Sequence, residues 1–238
     1  MSLFRPGEFK ITDRAMEFCQ FKKGDRILDI GCGDGETVEY IQKKYGCQVE
    51  GLDTMARMIA EGKKRNPELN IKIGDGEFLE DYSSRTFEGI NMECVLSIIN
   101  LADEALHEAL CVLKKGGKLM ISDLYMKNPD PKQVEAIKIE AERLSKVPHS
   151  GGECSDQCAD DHKARFLDFR FEGRFIKEPL IKTLQELGYK ILLWEDRTPD
   201  LDTYVAETIL KDGNLDNCMT CVKEKKGTGY FLLVAEKL

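Results

Sequence analysis

The residues best placed to do chemistry stand in one short stretch, Arg26 to Gly35, where an apolar run ends in Asp29 and glycines follow at alternate positions, Gly31, Gly33 and Gly35. Ile27, Leu28 and Ile30 have the composition of a buried parallel strand. Glycines directly after such a strand let the chain turn sharply and let a ligand lie against bare backbone. Val38, Ile41 and Tyr45 then recur at helical spacing, so strand, loop and helix follow one another as in the opening unit of a nucleotide-type fold. The ligand of such a unit lies at the strand's carboxyl end. A dinucleotide fits poorly. Its fingerprint needs a further glycine where Glu36 stands, and a pyrophosphate would face Asp29, Asp34 and Glu36 at a helix start that otherwise favours anions. A cationic or zwitterionic ligand suits the charge better.

Acids recur at the ends of the next strands. Cys47 to Leu52 reads as a second strand ending at Asp53, about 20 positions after Gly31, where an acid can accept both hydroxyls of a ribose. Asn70 to Ile73 reads as a third, followed by Gly74, Asp75, Gly76 and Glu77, and Phe87 to Val95 as a fourth. Met55, Met58 and Ile59 share one side of the helix after Asp53 and could border a base, although core packing is the commoner use of that spacing.

Here D-I-G-C-G-D-G resembles motif I of the class I S-adenosylmethionine-dependent methyltransferases, of the small-molecule, type 11 or UbiE-like kind. The F-E-G-I-N-M-E strand and V-L-K-K-G-G-K-L-M-I-S-D, Val112 to Asp123, resemble later motifs in the same order. The resemblance implies that Asp29 lies near the cofactor's ammonium and that Gly31, Cys32 and Gly33 form the loop beneath it. It also implies that Asp53 and Thr54 meet the ribose, that Asp75, with Gly76 and Glu77, reaches the adenine amino group, and that Met92, Glu93 and Cys94 flank the methionine part. Gly116 and Gly117 would stop a helix and permit the turn into strand five. The fold implied is Rossmann-like α/β, a doubly wound, seven-stranded, mostly parallel sheet with an antiparallel last strand.

The rest of the chain must position these residues. Its 238 residues, 42% hydrophobic and 33% charged, suit one domain with insertions. The core is expected over residues 22–123 and 174–238, and cap insertions over 124–173 and 197–227. The formal net charge of −8 argues against a nucleic-acid substrate. No long apolar run or signal-peptide pattern suggests a membrane or secretion, so a cytoplasmic setting is expected. Composition does not address the oligomeric state. Nine cysteines, an odd number, argue against a disulfide framework. Cys19, Cys47, Cys94 and Cys111 read as small core residues. Cys154 with Cys158, and Cys218 with Cys221, form two close pairs in the insertions. Free thiols are the preferred reading; zinc ligands or soft ligands for a thiophilic metalloid acceptor are the alternatives.

Methyl transfer needs chiefly alignment, and an oxygen or carbon acceptor usually wants a base as well. Tyr125, directly after strand five, and His149 and His162, in the large insertion, are the candidates; His107 is expected to face solvent. A leading helix, capped by Thr12 or Asp13, follows an Arg-Pro-Gly turn. In the related enzymes such a helix folds over the cofactor mouth. Arg5 could then meet a carboxylate, although a surface position is preferred. The function expected is methyl transfer from S-adenosylmethionine to a small-molecule acceptor. The alternatives are a cofactor- or metal-binding protein without turnover, a metalloid methyltransferase, and, disfavoured by Glu36, a nicotinamide-dependent oxidoreductase.

Overall fold

The computed structural model describes residues 5–132, 134–135, 139, 170–171, 173–212 and 227–238. In chain order the elements are α1 (Lys10–Cys19), β1 (Arg26–Ile30), α2 (Glu36–Tyr45), β2 (Gln48–Asp53), α3 (Ala56–Arg65), β3 (Ile71–Ile73), β4 (Phe87–Glu93), α4 (Ala102–Val112) and β5 (Leu113–Met126). Two short strands follow, β6 (Arg170–Phe171) and β7 (Arg174–Phe175), then α5 (Lys177–Leu187), β8 (Tyr189–Asp196), α6 (Thr198–Asp212) and β9 (Thr228–Lys237).

β3, β2, β1, β4 and β5 lie side by side and run parallel, as the near-continuous apolar runs require of strands covered on both faces. β9 inserts antiparallel between β5 and β8. The expected seven-stranded, mostly parallel sheet is therefore present. β6 and β7 add a two-residue hairpin at the end of β5, where Tyr125 pairs with Phe175.

Alternation along the strands divides the core in two. Leu28, Ile30, Ile90, Met92, Ile121 and Phe231 pack against Ala105, Leu106 and Ala109 of α4 and Leu180 and Leu184 of α5. Ile27, Val49, Met120 and Leu232 pack on the opposite face against Ile11 of α1, Val38 and Ile41 of α2, Ile59 of α3 and Leu201 of α6. Leu201 is 2% exposed, so α6 belongs to the core packing although the sequence places it in the second insertion. α4 ends at Val112, and Leu113 already pairs with Phe87 of β4; the turn at Gly116 therefore lies inside β5 rather than at the helix end. Neither expected cap serves α1, which begins at Lys10 with Phe9 ahead of it. Thr12 and Asp13 face inward and make longer-range bonds instead.

Candidate active site

The carboxyl ends of β1, β2 and β4 meet on the face covered by α1 and α2. A cavity of about 40 Å³ opens there, lined by Arg5, Asp29, Gly31, Cys32, Gly33, Thr37 and Glu93. Gly31 turns the chain out of β1 with φ of +77°, and a side chain there would run into Val95. The loop can therefore pass close under β4 only without a Cβ. Gly31 and Cys32 both donate their N–H to the carbonyl of Leu52, tying the loop to the end of β2.

Asp29 is 2% exposed and pairs with Asn91 across the parallel ladder. Asn91 Nδ2 donates to Asp29 Oδ1 at 2.7 Å, and Asp29 Oδ2 is buried with no hydrogen-bond partner. Burial, reinforced by Glu93 and only partly opposed by the Asn91 bond and by Arg5, pushes this carboxyl up to about 7. Glu93, at the end of β4, accepts from Thr12 Oγ1 at 3.3 Å and from Thr37 Oγ1 at 3.4 Å. Burial raises its carboxyl as well, against the pull of Arg5.

Arg5 does not lie on the open surface, contrary to the preferred expectation. Its side chain is 13% exposed, with Nη1 3.3 Å from Glu36 Oε2 and Nη2 donating to Thr37 Oγ1 at 2.9 Å. The α1 region is fastened at several further points. Phe9 stacks on Tyr40 at 3.9 Å between centroids, Tyr40 and Tyr45 donate to Asp13 at 2.8 and 2.7 Å, and Arg14 Nε donates to Glu195 at 2.9 Å.

Asp53 ends β2 as expected. Its carboxylate accepts from the N–H of Gly33 at 2.9 Å and of Met55 at 2.8 Å, so it pins the glycine loop and the approach to α3. Each oxygen retains acceptor capacity for a ligand. Thr54 beside it is exposed. Asp75 is half-buried after β3, and Gly76 backs onto Ile30 so closely that a Cβ would collide with it. The side chain of Cys32 points into the core, where burial pushes its thiol up.

Three expectations are corrected. Glu77 faces inward at 8% exposure, and its Oε1 accepts the N–H groups of Asn100 at 2.9 Å and Leu101 at 3.1 Å, satisfying the start of α4 rather than facing a ligand. Met92 is fully buried between β4 and α4, because its parity on β4 directs it away from the cavity. Tyr125 likewise turns to the α5 side, edge-on to Trp194 and Phe231, with its hydroxyl held by Asp196 and Thr198. His107 is half-buried, with Nε2 3.9 Å from Cys111 Sγ. His149, His162, Cys154, Cys158, Cys218 and Cys221 lie outside the described residues.

The segment after β4 is held by Arg170, which sequence reading passed over, and by Asp123 at the end of the strand-five motif. Arg170 Nη1 donates to the carbonyls of Leu96 at 3.3 Å and Ser97 at 3.2 Å, and Nη2 to Asn100 at 3.1 Å. Asp123 Oδ2 accepts the Ser97 N–H at 2.9 Å, while burial pushes the Asp123 carboxyl up to about 6. Cys94, with φ of +55°, places Sγ 2.7 Å from the Tyr230 hydroxyl, which donates to Ser122 Oγ at 3.2 Å.

Glycine turn, paired strand-end acids and strand order together describe a doubly wound α/β core with a ligand site at its strand ends. Residues 28–121 match the model of the family described as Methyltransferase domain. Demethylmenaquinone methyltransferase of Renibacterium salmoninarum is 32% identical over 100 residues, 42% of this chain and 41% of that protein. The chain thus spans about two fifths of the length of this curated relative. Haemonchus contortus phosphoethanolamine N-methyltransferase 2, solved with S-adenosyl-L-methionine, superposes over 99% of this chain and 54% of its own, with TM-score 0.67 and 16% identity. The 4+2 cyclase SpnF superposes over 99% of this chain and 84% of its own, with TM-score 0.67 and 20% identity. Residues 28–121 thus carry a segment that matches the methyltransferase domain model, and the chain as a whole shares the fold of these solved structures.

Proposed function

We propose that the protein binds S-adenosylmethionine across the carboxyl ends of β1, β2 and β4 and transfers its methyl group to a small-molecule acceptor. The observation that carries this reading is Asp29 Oδ2, a buried carboxylate oxygen without a partner, at the strand end beside a bare glycine turn. An orphaned acceptor of this kind is costly unless a donor meets it, and a ligand ammonium is such a donor. Asp53 then takes the ribose and Asp75 the adenine amino group. Glycines 31 and 33 leave room for the chain joining them. The start of α2 offers no place for a pyrophosphate, because Asp34 Oδ1 already accepts the Glu36 N–H at 3.3 Å. When bound, the cofactor supplies a methyl group already activated as a sulfonium. The protein's part is to hold that group in line with the acceptor and to exclude water.

No histidine or tyrosine among the described residues lines the cavity. In this reading the acceptor is an amine or a carbon nucleophile, after the N- and C-methyltransferases among the relatives. The relatives named for demethylmenaquinone and phosphoethanolamine bracket that range. The additions to the core, within 124–173 and 197–227, select the acceptor in this reading. A second reading, binding of the cofactor without methyl transfer, draws on the fold shared with the cyclase SpnF. Calorimetric titration with S-adenosylhomocysteine and with nicotinamide dinucleotides, followed by an acceptor panel scored for S-adenosylhomocysteine release, separates these. Dinucleotide binding alone would overturn the proposal. Cofactor binding with no turnover on any acceptor would favour the second reading.

A further inference from the structure

Asp29 and Glu93 line the same cavity but stand at different depths. In the β1–β4 ladder Asp29 is level with Asn91, so Glu93 lies two residues further toward the strand ends, about 7 Å outward. Their surroundings also differ. Asp29 has one oxygen on Asn91 and one oxygen free. Glu93 accepts hydrogen bonds from two neutral hydroxyls, Thr12 and Thr37, and feels Arg5 only through space, with no salt bridge among the described residues. Arg5, the one cation lining the cavity, bonds instead to Glu36 and to Thr37. Two acids thus confront the ligand from staggered positions on neighbouring strands.

The methionine end of the cofactor carries two cations, an ammonium and the sulfonium, several bonds apart. The deeper, unpartnered oxygen of Asp29 suits the ammonium. That leaves Glu93, on the strand beside β5, for the second cation. We propose that Glu93 reads the charge on the cofactor's sulfur, holding the sulfonium form more tightly than the thioether that remains after transfer. The inference rests on the methyltransferase reading. In the transfer the acceptor's electron pair forms the new bond to carbon, the carbon–sulfur pair returns to sulfur, and the positive charge passes to the acceptor. Only the sulfonium charge changes on the bound cofactor, and a buried carboxylate whose hydrogen bonds come from neutral hydroxyls responds to it. Release of the spent cofactor is then favoured by the same residue that recruited the fresh one.

The test is calorimetric binding of three ligands: S-adenosylmethionine, S-adenosylhomocysteine, and sinefungin, which bears an amine in place of the sulfonium. Wild-type protein should bind the two charged ligands about tenfold more tightly than S-adenosylhomocysteine, equivalent to about 1.4 kcal/mol. Glu93→Gln keeps the shape and the threonine bonds, and should bring all three within about twofold by weakening the charged pair alone. Should Glu93→Gln not fold, Glu93→Asp, with its carboxylate drawn back, should give an intermediate ratio. Equal weakening of all three ligands, or an unchanged ratio, would overturn the inference while leaving the cofactor assignment standing. Failure of wild-type protein to bind any of them would instead overturn the methyltransferase reading.

Discussion

Removing the negative charge of Asp29 should abolish a pH dependence that the native site builds into cofactor binding. With its carboxyl pushed up to about 7 by burial, Asp29 is largely protonated in mildly acidic solution. About one tenth of molecules carry the anion at pH 6 and about three quarters at pH 7.5. Only the anion can meet an ammonium, and apparent affinity scales with the competent fraction, so S-adenosylhomocysteine should bind about eightfold more tightly at pH 7.5 than at pH 6. Glu93 is raised in the same direction, and its charge is among the groups that hold the Asp29 carboxyl up. Asn91, Arg5 and Asp53, the other groups acting on Asp29, do not reverse it. Asp29→Asn can still accept from Asn91, yet it turns an amide toward the cavity. Affinity at pH 7.5 should fall roughly 10- to 100-fold, the worth of a hydrogen bond to a charged group, and Asp29's share of the slope should vanish. Calorimetry in buffers of differing ionisation enthalpy should register nearly one proton released per ligand bound at pH 6. A flat affinity from pH 6 to 7.5, or proton uptake on binding, would refute the assignment of Asp29 to a cation.

Three other outcomes are expected. Asp29 and Asp123, with folded-state pKa of about 7 and 6, both lie above their unfolded values, so the stability they contribute is full below about pH 4 and lost as pH rises toward 7; the Tm of the free protein should carry this downward component between pH 5 and 7.5, read as the difference from Asp29→Asn and Asp123→Asn. Gly31→Ala combines a φ of +77° with a collision against Val95. It should lower stability by roughly 1–3 kcal/mol in urea unfolding and weaken S-adenosylhomocysteine binding; an unchanged midpoint would show that the loop relaxes freely. Tyr125→Phe keeps the ring against Trp194 and Phe231 and loses only the hydroxyl bonds to Asp196 and Thr198. Stability should fall by about 1 kcal/mol with ligand affinity unaltered, whereas an affinity loss would return Tyr125 to the site.

The glycine turn, Asp29 and Asp53 were legible because each depends on a few adjacent residues and on the periodicity of one strand. The parallel strand-helix units were legible for the same reason, repeated along residues 26–123, whereas their order β3-β2-β1-β4-β5 came from the structure. What escaped the sequence was direction and distance. Met92 and Glu93 are neighbours in sequence, yet strand parity sends one into the α4 layer and the other into the cavity. Glu77 stands where an acid was wanted, and its carboxylate was drawn instead to the unsatisfied N–H groups before α4. Thr12, Thr37, Glu93 and Arg5 come together from segments far apart in the chain, and no spacing announces such a meeting. Arg170 carries no motif, and only the carbonyls converging on it show its part.

The fastening of residues 5–14 across the cavity sets a clock as well as a shape. Arg5 lines the cavity of about 40 Å³ that holds Asp29 and Glu93 and is tied there to Glu36 and Thr37, so a ligand end larger than this space needs Arg5 to shift before it reaches Asp29. The Phe9–Tyr40 stack and the Asp13 bonds then act as latches whose spontaneous release limits how fast the ligand can arrive. Association should fall below the 10⁵–10⁷ M⁻¹s⁻¹ range usual for docking onto an open surface, and its observed rate should level off at high ligand concentration. The same latches, reclosed over the ligand, delay its departure. In this reading the pace of ligand exchange is set by the contacts of the first helix.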